Sequence, residues 1–215
     1  MLRVFKPSSP MSLGTWCLTI YSLPLAGLAI MSLLPPGGAA LEWVRRLLLI
    51  AGLVPAFGVA AYKGVLFSTS AQPGWKDARW LGAYFTNSAF LLGGAGLLAL
   101  ANVTGEQRAA GLLKPTVVLL LVLNAIALAL LLRDLRPALA KAYSRLDLVR
   151  LGAVVIAGGM LVAVALLLIG GTIATLVAAL LVTLGALVIR HELVHLPQRH
   201  AKRVREAEEI VRTPS

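Results

Sequence analysis

The sequence predicts an all-α fold, a polytopic membrane helical bundle of about six transmembrane helices, and three observations predict it. Of 215 residues, 59% are hydrophobic and only 13% are charged, which is more apolar surface than a soluble domain of this size can bury. Six runs, at roughly 11–34, 46–67, 81–103, 115–133, 149–169 and 172–191, come close to or exceed the roughly 20 apolar residues that cross a hydrocarbon core. The basic residues are also lopsided. With six spans, the two termini and the second and fourth loops share one side, and that side carries fifteen Lys and Arg against four on the other. The positive-inside rule makes that side cytoplasmic. The net charge of +11 is then a matter of topology and of attraction to anionic lipid, and gives no support to nucleic-acid binding. The expected division is a six-helix transmembrane domain over 1–196 and a basic cytoplasmic tail over 197–215.

The first span opens with KPSSPMSLGTW. Pro7 and Pro10 punctuate the approach, and Ser8, Ser9 or Ser12 suits a helix N-cap. The small residues Ser12, Gly14 and Thr15 allow a neighbouring helix or a flat ligand to come close, and Pro24 is expected to kink the span. In the second span Pro55 is a further expected kink. Tyr62 offers a hydroxyl on an apolar wall, and Lys63 lies near enough to the helix end to snorkel to the basic side. The following turn, FSTSAQPGWKDARW, reverses at Gln72-Pro73-Gly74 and gathers Lys76, Asp77, Arg79 and Trp80 at one face. Asp77 and Arg79 are candidates to pair, to cap the next helix or to contact a docking protein.

The third span carries Tyr84, Thr86, Asn87 and Ser88 near the same face, then Gly93, Gly94 and Gly96, a composition suited to close helix packing. Asn124 in the fourth span is open to the same reading. The fifth and sixth spans are almost wholly aliphatic, read as scaffold, and are separated by a Gly170-Gly171 turn. None of the spans has the acidic series of a proton pump. Polar groups therefore collect at the basic side of the first three spans, where a hydrogen-bonding niche in an apolar wall suits a lipophilic ligand with carbonyls, such as a quinone.

Cys17 is the single cysteine, so neither an internal disulfide nor a Cys-ligated iron–sulfur cluster can form within one chain. His191, His195 and His200 all lie at or beyond the end of the last span, which leaves no facing pair for a haem. Any redox cofactor is expected in a partner. The stretch HELVH offers a rival reading, because H-E-x-x-H places two histidines on one helix face to bind zinc, with the glutamate as general base. On that reading His191, Glu192 and His195 form a membrane zinc peptidase, with Glu206, Glu208 or Glu209 as a further ligand. Against it, the motif lies where a helix leaves the membrane, a usual place for His, Arg and Glu. Pro197 is also expected to end or kink the helix soon after. The preferred reading is that the chain has no metal ligands.

Three stretches carry a resemblance: SPMSLGTW at 9–16, YKGVLFSTSAQPGWKDARW at 62–80 and GALVIRHELV at 185–194, the last mainly through Gly185 and Arg190. In order and spacing the chain resembles the NrfD-like family, the membrane-anchor subunits of polysulfide reductase. The resemblance implies a cofactor-free anchor in a prokaryotic cytoplasmic membrane. Such an anchor exchanges electrons between membrane quinone or quinol, its substrate, and a ferredoxin-like iron–sulfur subunit bound to a catalytic subunit of molybdopterin type. Tyr62 matches the family's pocket-wall tyrosine. Ser12, Lys63, Gln72 and Asp77 are the other candidate quinone-binding residues, and Lys76, Arg79 and Trp80 the candidate docking residues. The chain departs from the family in length. Typical members have eight or more spans, and the Ser-Pro-Met-Ser segment opens their third, so two N-terminal helices are expected to be missing here or supplied by a separate small subunit. A purely structural anchor without a quinone site is the remaining alternative.

Overall fold

The computed structural model describes residues 10–35, 37–68 and 78–212. For residues 10, 11, 63–68, 141, 200 and 204–212 only the backbone is described. Every regular element among the described residues is helical, and six stretches are long and apolar enough to cross a membrane. The chain is thus a multi-pass helical membrane protein. It divides into two units, residues 1–67 and 68–215.

The first unit holds α1 (Pro10–Ser32) and α2 (Ala39–Ser68). α1 is described from Pro10 onward, so Ser12 lies inside the helix and is not its cap. Both helices continue without interruption through Pro24 and Pro55. They pair antiparallel, and glycines mark the contacts: Gly14 lies under the Tyr62 ring, Gly58 faces the Cys17 thiol, Gly52 faces Pro24 and Gly27 faces Leu48. Small residues give this close approach in lipid, where the hydrophobic effect does not drive helices together. The large apolar side chains Leu18, Leu23, Ile50 and Val54 are exposed, as a lipid-facing surface requires.

The second unit is a bundle of four spanning segments. α3 (Leu81–Val103) packs on α4 (Gln107–Ala142). The fifth span begins as α5 (Arg145–Gly152), becomes a π-helix over Ala153–Val162, and ends as α6 (Ala163–Ile169). α7 (Thr172–Arg212) packs on α3, α6 and the π-helical stretch. Leu91, Leu98, Leu121, Leu167 and Val182 belong to its core. The α6–α7 turn uses Gly170 and Gly171 at φ +80° and +88°, a region that only glycine enters at low cost. Ser144 caps α5: its Oγ accepts from the Asp147 N–H and its hydroxyl donates to the Asp147 carboxylate at 2.6 Å.

Several polar groups within the spans are hydrogen-bonded to their own helix or to a neighbouring one. Thr86 and Thr175 donate to the carbonyls of Gly82 and Gly171, one turn back. Asn87 on α3 donates to the Leu120 carbonyl at 3.0 Å and to Asn124 Oδ1 at 3.4 Å, which ties α3 to α4. Three details differ from the sequence reading. The fourth span is much longer than 115–133. The fifth is π-helical for ten residues. Pro197 does not end α7, which runs on to Arg212 because the prolines within these helices interrupt the backbone ladder only locally.

Candidate functional site

The candidate residues of the first unit lie along the α1–α2 hairpin. The half-buried Tyr62 has its ring directly over Gly14; a β-carbon at position 14 would overlap the ring. Gly14 and Tyr62, from two family-like stretches distant in sequence, thus meet in space. Ser12 is 2% exposed, and its hydroxyl has no hydrogen-bond partner among the described residues. Lys63 lies on the last turns of α2, with only its backbone described. Gln72, Lys76 and Asp77 fall outside the described residues. Arg79 and Trp80 are described and exposed at the start of the second unit. The Arg79 backbone N–H donates to Asp134 Oδ2 at 3.2 Å, and Trp80 precedes α3 at its N-cap position without a side-chain cap bond.

Two of the polar clusters among the described residues of the second unit bear on the site. On α3 and α7, Tyr84 and Ser88 are fully buried beside the half-buried Arg190. The Arg190 guanidinium reaches Ser88 Oγ at 3.4 Å and lies 6.0 Å from the Phe85 ring centre. Arg190 Nε has no partner among the described residues, and the Tyr84 hydroxyl faces Ser88 and Arg190 without a well-formed hydrogen bond to either. The spacing of Tyr84 and Ser88, four residues apart, was the available signal, since it puts both on one helix face.

The other cluster stands at the end of α4. The Tyr143 hydroxyl donates to Glu192 Oε2, and Arg199 Nη2 lies 3.2 Å from Glu192 Oε1 and 3.1 Å from Oε2. The Arg199 guanidinium also sits 4.9 Å from the Tyr143 ring centre. Burial, followed by the hydrogen bond to Glu192, raises the Tyr143 phenol well above the ordinary tyrosine range. Beneath this cluster is a cavity of about 230 Å³ walled by leucines of α4 and α7 and by Leu151, Gly152 and Val155 of the fifth span. The fifth and sixth spans, read as scaffold from sequence, thus help to enclose a cavity.

The HELVH stretch is part of this arrangement. Glu192 is held by Tyr143 and Arg199, and His191 Nδ1 lies 3.6 Å from Glu192 Oε1. The His191 and His195 ring centres lie 4.4 Å apart with their planes tilted by 56°, and His195 Nδ1 lies 3.2 Å from Gln198 Oε1. Among the described residues no three His, Cys, Asp or Glu side chains are grouped to hold a metal ion.

Six apolar helices, with paired small residues and polar side chains collected near helix ends, define a membrane-embedded subunit. A family model described as NrfD_2, polysulfide reductase, matches residues 1–204, and the chain belongs to that family. It is therefore a membrane subunit of the kind that anchors multisubunit oxidoreductase complexes. No curated protein and no solved structure matches the chain.

Proposed function

We propose that the chain exchanges electrons between a membrane quinone or quinol and an iron–sulfur partner, and binds no redox cofactor of its own. The observation that carries this reading is the seating of Tyr62 on Gly14, which joins the two most family-like stretches at one end of the α1–α2 hairpin. A phenol on an apolar wall is suited to donate a hydrogen bond to a quinone carbonyl. The orphan hydroxyl of Ser12, two residues before Gly14, offers a further donor. Lys63 and Asp77 are assigned to bringing protons from the surface, and Gln72 to the pocket. Lys76, Arg79 and Trp80 are assigned to docking the partner, whose acidic surface would complement the basic face. The partner is a ferredoxin-like subunit joined to a molybdopterin-type catalytic subunit, on the cytoplasmic side of a prokaryotic membrane.

The test is mild purification of the complex, with measurement of iron, zinc and quinone, alongside Tyr62→Phe. Iron in an acidic partner is expected, together with quinone exchange weakened about tenfold in the variant, as loss of one hydrogen bond allows. Iron with no change in quinone exchange would leave a structural anchor, and zinc without iron would restore the peptidase reading of His191, Glu192 and His195.

A further inference from the structure

We infer that the cavity of the second unit binds a membrane hydroquinone by its O–H group, at a site formed by Glu192 and Tyr143 and separate from Tyr62. This site is built on helices other than α1 and α2, so it stands or falls independently of the role given to Tyr62.

The walls set the class of ligand. Of the fourteen residues lining the cavity, only Tyr143 and Glu192 bear polar side-chain atoms. Leu135, Leu196 and Val155 are buried on its inner side, whereas Leu132 and Ile156 are 39% and 44% exposed. Those two belong to a lipid-facing surface, so the site opens toward the bilayer and admits a molecule already dissolved there. About 230 Å³ accommodates a small ring and the start of a chain rather than a whole lipid.

The local backbone makes this space. Gly159 and Gly185 bring the π-helical stretch against α7, backbone to backbone, and an added β-carbon on either would sit 3.1–3.2 Å from the other's Cα. From that crossing, Val155 and Ile189 line both the small void at the glycines and the larger cavity. π-Helical turns are found frequently at functional sites, because the extra residue per turn redirects side chains and leaves space beside the helix.

The polar mouth sets the head group. The Tyr143 proton is turned onto Glu192, and the Arg199 guanidinium is turned onto the same carboxylate. Glu192 Oε2 already accepts from Tyr143 and Arg199, and Oε1 accepts from Arg199 with His191 Nδ1 3.6 Å away. The capacity left at the lining is a lone pair on the Tyr143 oxygen and one on Oε1, both acceptors. A quinone carbonyl or a phosphodiester brings more acceptors and finds no donor from the lining. A phenolic O–H finds a carboxylate, and a hydrogen bond to a charged group is among the stronger ones available. The site is therefore selective for the reduced form.

The test reads the cavity directly. In a Cys17→Ser background, Leu148→Cys at the half-buried cavity wall is labelled with a membrane-permeant maleimide in phosphatidylcholine nanodiscs. A decyl-substituted hydroquinone, its quinone and phosphatidylglycerol are compared as protectants. Protection is expected at about tenfold lower concentration of hydroquinone than of quinone, the difference expected of one charge-assisted hydrogen bond. Glu192→Gln, which supplies an amide donor, is expected to remove or reverse that preference. If Glu192→Gln does not fold, Tyr143→Phe serves in its place and is expected to weaken hydroquinone protection. Equal protection by both redox forms, protection by phosphatidylglycerol alone, or no protection by any of the three overturns the proposal.

Discussion

The phenol of Tyr143 at the end of α4 donates its proton to the carboxylate of Glu192 on α7, and Arg199, two helical turns further along α7, holds the same carboxylate. One carboxylate thus joins two helices through residues 49 apart in sequence. Burial and the acceptor together keep Tyr143 protonated, because ionising it would place a second negative charge beside Glu192.

This pairing predicts a pH dependence. The folded-state pKa is raised, so folding favours the neutral phenol. That contribution is complete below the ordinary tyrosine pKa of about 10 and is lost as the pH rises through the raised value. Ultraviolet titration at the tyrosinate band, compared with Tyr143→Phe, should show the Tyr143 component ionising above the usual range. Glu192→Gln should lower its midpoint, since both the carboxylate's charge and its hydrogen bond raise it.

Gly14→Ala should destabilise the α1–α2 hairpin by about 1–3 kcal/mol, the usual range for overpacking. The added methyl group would overlap the Tyr62 ring, which must move. The same substitution in a Tyr62→Ala background should cost much less. A double-mutant cycle on thermal unfolding in detergent checks this, and equal costs in the two backgrounds would count against the contact.

The Gly159–Gly185 crossing offers no flexible side chain that can yield, since each glycine faces the other's backbone. Gly159→Val should therefore separate the π-helical stretch from α7 and destabilise the bundle by more than Gly159→Ala. Unfolding midpoints of the two variants provide the comparison. Leu148→Cys labelling in Gly159→Val should also change, because the same crossing borders the cavity.

Asn87→Ala should cost about 0.6–1.7 kcal/mol, the range for interhelical hydrogen bonds in membranes. Asn87 loses bonds both to Asn124 and to the Leu120 carbonyl. Asn124→Ala should cost less, because Asn87 then retains the carbonyl. The order of the two losses in a detergent-unfolding series is the readout.

Much of the architecture was legible from residues alone. Length and hydropathy settled the helical class and the number of spans, because a backbone in lipid must satisfy its own hydrogen bonds and a helix does so within one segment. The Gly170-Gly171 pair located the last turn for an equally local reason, its positive φ angles. The pattern of Ser12, Gly14 and Tyr62 pointed to family membership. Pro197 was a poor guide to a helix end, because α7 runs through it to Arg212.

Pairings between distant residues had to await the tertiary structure. HELVH as written shows two histidines around a glutamate, the spacing of a zinc motif. In space that glutamate belongs to Tyr143 and Arg199, and Tyr143 comes from the end of a different helix. The fifth and sixth spans read as uniform scaffold because an aliphatic run looks the same whether it fills a core or walls a cavity. Which of the two it does depends on how closely backbones approach at Gly159 and Gly185, and on a π-helical stretch that no local residue pattern announces. Local chemistry determined the helices, while contacts between residues far apart in the chain decided what the helices enclose.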